Sequence, residues 1–269
     1  MFRDITIGQY YQADSVLHRM DPRTKIMGTL FFIVTLFLAQ NVVGYAICIL
    51  FLAVMIGLSR VPFRFMVRGL RAVMFLLLFT VVFNLFLTPG EALVSFWIFT
   101  ITKEGLKTAI YMAIRLFMLI IGSSLMTLTT TPNHLTDGME SLLGFLRVFR
   151  APVHEVAMMM SIALRFIPIL VDETDKIMKA QIARGADFET GGLIKKAKGM
   201  IPLFVPLFIS AFRRASDLAM AMEARCYHGG KGRTKMKPLK YHLRDLFGYL
   251  VFIAFMVVVI LSGWVSVPF

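Results

Sequence analysis

Five apolar stretches constrain this chain more than any other feature, because each is close to the length that crosses a lipid bilayer. They cover residues 26–39, 42–58, 72–87, 106–128 and 246–267. A membrane-spanning helix needs about 20 mostly apolar residues, since every backbone amide must be satisfied within the segment. The composition agrees: 58% of residues are hydrophobic, 25 are Phe and 19 are Met, where soluble domains sit at about 45–50% apolar. The predicted fold is an all-α integral membrane protein. It has about five transmembrane helices and long amphipathic cytosolic helices crossing beneath them.

Charge placement sets an expected orientation, because Lys and Arg collect on cytosolic flanks. Arg3, Arg19, Arg23 and Lys25 precede the first span, and the polar turn at Gln40-Asn41 carries no basic residue. Arg60, Arg64, Arg68 and Arg71 follow the second span, and residues 129–245 hold 18 Lys or Arg against 11 Asp or Glu. In total 26 of the 29 basic residues fall on one side. The amino terminus is therefore expected inside and the carboxyl terminus outside. The net charge of +13 is then a topology signal. Nucleic acid is not an expected partner, since the aromatics lie in apolar spans instead of on a basic soluble face. The lipid bilayer is.

No cleavable secretory signal is expected, because the first 25 residues are polar and no small-x-small exit follows. Cys48 falls in a span and Cys226 on the cytosolic side, so reduced thiols are expected. The expected organisation is a cytosolic segment at 1–25, four spans within 26–128, a cytosolic coupling region at 129–241 and a last span within 242–269.

The cytosolic region reads as helices. Thr131-Pro132 is a start signal, a hydroxyl cap followed by proline at the first helical position. From Pro152, the residues Val156, Met159, Met160, Ala163, Ile167, Leu170 and Val171 recur at helical spacing. Pro168 is expected to kink this helix without ending it, because the pattern resumes in register. A third helical region includes 200–212, with Pro202 and Pro206 inside. Its thirteen residues are too few to cross a bilayer. Gly191-Gly192 and Gly229-Gly230 are the expected joints, and a basic tether at 231–240 leads to the last span.

Both long helices end in the same kind of triplet, Ala183-Arg184-Gly185 and Ala224-Arg225-Cys226. Each sets one guanidinium between small residues. A guanidinium carries five donors in a rigid fork that suits a carboxylate. At a helix end it also offsets the negative pole of the macrodipole. The ordinary role of such an arginine is a solvated cap. Two of them 41 residues apart fit a two-pronged plug for a two-part partner.

These residues resemble the transmembrane T component of energy-coupling-factor (ECF) transporters, relatives of ABC importers that take up vitamins and metals. The matching pieces run through most of the chain. They are Asp14-Ser15 with His18, Asp21-Pro22-Arg23-Thr24-Lys25, the threonines ahead of Pro132, Ala163-Leu164-Arg165-Phe166-Ile167-Pro168, Ala180 to Gly185, and Arg213-Arg214-Ala215 leading to Ala221 through Arg225. The family's second triplet often ends in Gly; here it ends in Cys226. The resemblance implies a non-catalytic subunit in a cell membrane, coupling two ABC-type ATPase subunits to a substrate-binding S component. Ala183, Arg184, Gly185, Ala224, Arg225 and Cys226 are the implied ATPase-coupling residues. No cofactor is implied, and the chain has no Gly-x-x-x-x-Gly-Lys-Ser/Thr loop to hold nucleotide.

Other candidates compete with these. Arg115 lies about 15 Å into its span, and an intramembrane charge is a functional candidate by default. The alternative is a structural pair, with Asn84 for example, or snorkelling. Asp172-Glu173 with Asp175 could form half of a magnesium-diphosphate site in a membrane-embedded transferase. Such chemistry calls for a second, facing cluster, and Lys176 and Lys179 on the same helix favour a salt-bridged surface. A stand-alone secondary transporter would show repeated halves and midplane charges, which five spans and one arginine do not provide. The histidines at 18, 134, 154, 228 and 242 have no ligand spacing.

Overall fold

The computed structural model describes residues 10–39, 41–89, 91–96, 99–149, 151–186, 192–229, 236 and 238–264. Arg3, Gln40, Gly191, Gly230, Lys235 and most of the 231–240 tether lie outside the described residues, as does the end of the chain after Trp264. Two compact units are present, one from Gly8–Met139 with Leu239–Phe269 and a second from Glu140–Pro238.

The first unit holds α1 (Pro22–Leu38), α2 (Val42–Ser59), α3 (Phe63–Leu87), α4 (Lys103–Thr129) and α8 (Leu243–Trp264). Asp21 caps α1 by accepting from the Arg23 amide at 2.9 Å, and Pro22 occupies a position whose N–H would be orphaned anyway. α1 and α2 each pack on α4 and α8, and α3 packs on α4. Between α3 and α4 runs a short antiparallel hairpin, β1 (Ala92–Phe96) and β2 (Phe99–Thr102). It is an addition to an otherwise helical fold that the helical reading of the sequence did not anticipate.

The core of this unit is aromatic. The rings of Phe51 and Phe255 stack at 4.0 Å, and Phe32 joins them at about 6 Å. Glycines bring the backbones close enough for this. A Cβ on Gly122 would sit 2.6 Å from the Phe32 ring, and one on Gly28 would overlap the Phe252 ring. Small residues at helix contacts are the usual device where lipid removes the hydrophobic drive for association.

Polar groups tie both ends of the bundle. At one end Asp245, 1% exposed, accepts the Asp21 amide at 2.7 Å and the His242 amide at 2.8 Å. It thereby caps α8 and anchors the start of α1 together. Lys25 donates to the Thr129 carbonyl at 2.8 Å, and the Tyr11 amide to the Leu128 carbonyl at 2.9 Å. Those carbonyls belong to the last turn of α4, where no intrahelical donor exists. His18 completes the arrangement. Its Nε2 donates to the Tyr11 carbonyl at 3.0 Å, which leaves Nδ1 to accept from the Ser15 hydroxyl at 2.7 Å. At the other end, the Asn41 amide donates to the Ser262 and Gly263 carbonyls, closing the last turn of α8.

The second unit holds the end of α5 (Pro132–Leu142), a 3-10 helix at Leu143–Phe149, α6 (Val153–Ala183) and α7 (Leu193–Ala224). α6 continues through Pro168 and α7 through Pro202 and Pro206. α7 starts at Leu193, earlier than the apolar residues alone suggested, after Gly192 in extended conformation. Length and apolarity qualify four helices to cross a membrane: α2, α4, α6 and α8. α1, at 17 residues, sits at the short limit. α3 contains the shorter apolar segment Val73–Phe86. The chain is thus a multi-pass membrane protein, and α6, expected among the cytosolic helices, also has the length and apolarity of a span.

Candidate functional site: paired arginine helix caps

The two triplets are local copies of each other. α6 ends at Ala183, Arg184 is its C-cap, and Gly185 takes the left-handed conformation at φ +87°. The Gly185 amide then donates to the Ile182 carbonyl (2.9 Å) and the Ala186 amide to that of Gln181 (3.0 Å). α7 repeats this with Arg225 as C-cap and Cys226 at φ 56°. There the Cys226 amide donates to Glu223 (2.8 Å) and the Tyr227 amide to Met222 (3.0 Å). Both pairs of bonds form the Schellman closure, which satisfies carbonyls the helix leaves orphaned. A thiol side chain in the left-handed region is sterically costly, roughly 1–2 kcal/mol relative to glycine. Cys226 nonetheless holds the geometry that Gly185 adopts freely.

The cap position has a directional consequence. It is the last residue before the chain reverses, so the arginine projects from the helix end. All six triplet residues are exposed. Among the described residues, neither the Arg184 nor the Arg225 guanidinium has a hydrogen-bond or ion-pair partner, although both backbone amides close the helix ends. At the second tip, His228 Nδ1 donates to the Cys226 carbonyl at 2.8 Å.

Among the described residues, two polar contacts join the helix pair that carries these tips. Arg214 of α7 pairs with Glu173 of α6 at 2.9 Å. Gln181 of α6 donates from Nε2 to the Pro202 carbonyl of α7 at 3.3 Å. The second contact has a cause in the sequence: Pro206 lacks an N–H, so the carbonyl four residues back has no helical donor, and Gln181 supplies one. The later residue of α6 meets the earlier residue of α7, so the helices run antiparallel. Arg184 and Arg225 therefore cap opposite ends of the pair, on the order of 35 Å apart at 1.5 Å per residue.

The remaining candidates resolve into structure. Glu173 serves the interhelical ion pair and not a salt bridge within α6. Among the described residues no group of three or more His, Cys, Asp or Glu is placed to hold a metal. His154 meets the buried Glu140 at 2.9 Å, and His242 precedes α8. Arg115 meets Tyr45 and not Asn84. Its Nε donates to the Tyr45 hydroxyl at 2.9 Å, and its guanidinium lies over the rings of Phe37 and Tyr45 at 5.5 and 5.7 Å. Asn84 turns back onto the Thr80 carbonyl of its own helix. The Asp14 to Lys25 motif, whose purpose the sequence left open, supplies the hydrogen bonds that hold the amino-terminal segment on α4 and α8.

Known proteins resemble this chain along nearly its whole length. The family model described as "Cobalt transport protein" (CbiQ) matches residues 13–236. The energy-coupling factor transporter transmembrane protein EcfT of Ruminiclostridium cellulolyticum is 51% identical over 265 residues, covering 98% of this chain and 99% of that one. The protein of the same name from Clostridium kluyveri is 53% identical over 264 residues, with 97% and 98% covered. That of Bacillus subtilis is 47% identical over 246 residues, with 91% and 93% covered. Full-length likeness at that level, on a multi-pass helical chain, places this protein in the family of energy-coupling factor transporter transmembrane proteins.

Proposed function

We propose that this chain is the coupling subunit of an ECF-type ABC importer. It carries ATP-driven movement from two cytosolic ATPases to a separate S component that binds a vitamin or other micronutrient. The chain itself hydrolyses nothing; the ATPases do. The amino terminus and the α5–α7 region face the cytosol and the carboxyl terminus faces outward. α6 belongs to the cytosolic surface despite its length, because Glu155, Arg165, Asp172, Glu173, Asp175, Lys176 and Lys179 punctuate it.

The observation that carries this reading is the duplicated cap. Two exposed guanidiniums with the same backbone setting, at opposite ends of one antiparallel pair, are too far apart for a single groove. Each suits one ATPase, docking on a carboxylate as a bidentate donor. A docked arginine moves with its whole helix, and the Pro168, Pro202 and Pro206 positions give the pair places to bend. The exposed Met159, Met160, Phe208 and Phe212 leave apolar surface for lipid and the membrane partner.

The test is assembly and uptake in cells that supply the two ATPases and an S component. Arg184→Ala with Arg225→Ala should abolish complex formation or uptake, and each single change should weaken it. Leaving a buried carboxylate unpaired costs roughly 2–5 kcal/mol. Arg→Lys should also impair coupling, because a point charge does not reproduce the fork. Lys235→Ala, in the tether, should leave transport intact. A double variant that assembles and transports like Lys235→Ala would refute two-pronged coupling.

A further inference from the structure

The three basic residues that escape the one-sided charge distribution all line one cavity. Of 29 Lys and Arg, only Lys103, Lys107 and Arg115 lie away from the side that holds the other 26. All three are on α4, at intervals of four and eight residues, so they share one helix face. The cavity they line has a volume of about 720 Å³, with Tyr45, Tyr111 and Met112 among its other walls. It occupies the end of the first unit where Asn41 closes α8, opposite the Asp21–Asp245 end.

From this we propose a binding site for the phosphodiester headgroup of an anionic phospholipid. Arg115 is the deep recognition residue. Tyr45 engages its Nε and the Phe37 and Tyr45 rings support its plane, which leaves four further N–H donors on the fork. Such a fork binds phosphate oxygens in pairs. Lys107, two turns nearer the helix start, supplies a second charge, and Lys103 a third at the mouth. Glu91 and Glu104 also line the cavity. The Glu104 carboxylate is held by the Glu91 amide at 2.8 Å near the start of α4, so three bases stand against two acids in the lining, and the excess positive charge lies deeper, at Arg115.

Lipid is favoured over a soluble anion by position. The stripe starts at the first residue of a membrane-spanning helix and runs about 18 Å along it, from headgroup depth toward the hydrocarbon. Tyrosines at that level are the usual partners of the interface. A volume within the range of small-molecule sites admits a headgroup while its acyl chains remain in the bilayer. A charge this far inside a span is expensive without a partner, and an anionic lipid provides one. On the orientation proposed above this is the outer leaflet; the site itself does not depend on that orientation.

Native mass spectrometry of the full-length chain in detergent, titrated with phosphatidylglycerol or phosphatidylcholine, tests the site. Phosphatidylglycerol should bind selectively, and each of Lys107→Gln and Arg115→Gln should weaken it about fivefold, the usual effect of one basic residue at an anionic lipid surface. Arg64→Gln, on α3, should leave the selective adduct unchanged. Lys107→Gln keeps the Arg115–Tyr45 contact, so its effect is readable even if Arg115→Gln fails to fold. Equal affinity for both lipids, or unaltered phosphatidylglycerol binding by Lys107→Gln, would overturn the proposal. So would inorganic phosphate competing the lipid away at equal concentration, which would make this a site for free anions.

Discussion

The two units of this protein bury their helices to very different degrees. In the first, eight of the 27 residues of α4 are buried, and side chains bond backbone groups as far as 224 positions away in sequence. In the second, two of the 31 residues of α6 are buried, and among the described residues α6 meets α7 through one ion pair and one amide-to-carbonyl bond. Backbone bonding inside a helix needs no neighbour, so both sets of helices form. What differs is how many orphaned groups and apolar surfaces each unit satisfies by itself. The first closes its own helix ends and stacks its own aromatics. Both leave large apolar side chains uncovered, Leu50, Phe75 and Leu246 in the first and Met159, Phe208 and Phe212 in the second, but among the described residues only the first also has a buried aromatic core. Apolar patches of this kind mark surfaces that work against something else. On the coupling role proposed above, a fixed frame and an adaptable transmitter require opposite packing, and one chain would hold both.

The sharpest way to break that comparison is at Asp245. Asp245→Ala removes the acceptor for two backbone amides at once. It should lower the stability of the detergent-solubilised chain by about 1–4 kcal/mol: roughly 1–3 kcal/mol for the buried Asp21 amide and less for the half-buried His242 amide, which water can reach. Asp245→Asn, which keeps one acceptor oxygen, should lose about half as much. Thermal unfolding followed by circular dichroism measures both. If Asp245→Ala unfolds like the parent chain, the first unit is not the rigid frame described here.

A smaller loss is expected from Gly28→Ala, whose new methyl group overlaps the Phe252 ring. Overpacking of this kind costs about 1–3 kcal/mol, and the same unfolding assay should show it. Glu173 and Arg214 offer the counterpart in the second unit. Both side chains are partly exposed, at 27% and 39%, so a double-mutant cycle to Ala should return a coupling of no more than about 1 kcal/mol. A coupling larger than the Asp245→Ala effect would invert the comparison.

The smallest effect is a pH dependence at His18. Burial holds its pKa below the ordinary value, and its Nδ1 accepts from Ser15 in the neutral form. Because the folded pKa is the lower one, the unfolded chain binds more protons and acid opposes folding. This contribution is complete above about pH 6.5 and fades as pH falls toward the depressed folded value. Hydrogen exchange at the Tyr11 amide should therefore quicken, relative to intrinsic rates, between pH 7 and pH 5. His18→Asn should flatten that dependence; an unchanged profile would remove His18 from the amino-terminal clasp.

Legibility followed the range of each interaction. Thr131-Pro132 announces a helix start within two residues, and α5 begins there; Asp21-Pro22 is the same kind of signal, but the apolar run placed the first span only from residue 26, four residues after α1 starts. Continuation of α6 through Pro168 was readable because the apolar period resumes in register. The arginine triplets were visible as helix ends for the same local reason. The β1–β2 hairpin was not, since the surrounding apolar runs masked any turn signal. Arg115 could be recognised as a buried charge, but its partner Tyr45 lies 70 residues away, and no local pattern distinguishes that tyrosine from Asn84. Gln181 was legible only as part of a motif; that it fills the gap left by Pro206 depends on which helices pair. The sequence reading set α6 among the cytosolic helices, yet its length and apolarity also qualify it as a span, because one apolar face looks alike whether lipid or protein covers it.

Cys226 has a practical consequence for observing this protein at work. The sequence holds two thiols, and the other, Cys48, is fully buried among helices of the first unit. A maleimide reagent applied to the folded, unmodified chain should therefore react at one address, beside Arg225. The natural polypeptide comes with a single spectroscopic handle on one of its two tips. A fluorophore there would report the docking proposed for that tip, in real time and without altering a residue.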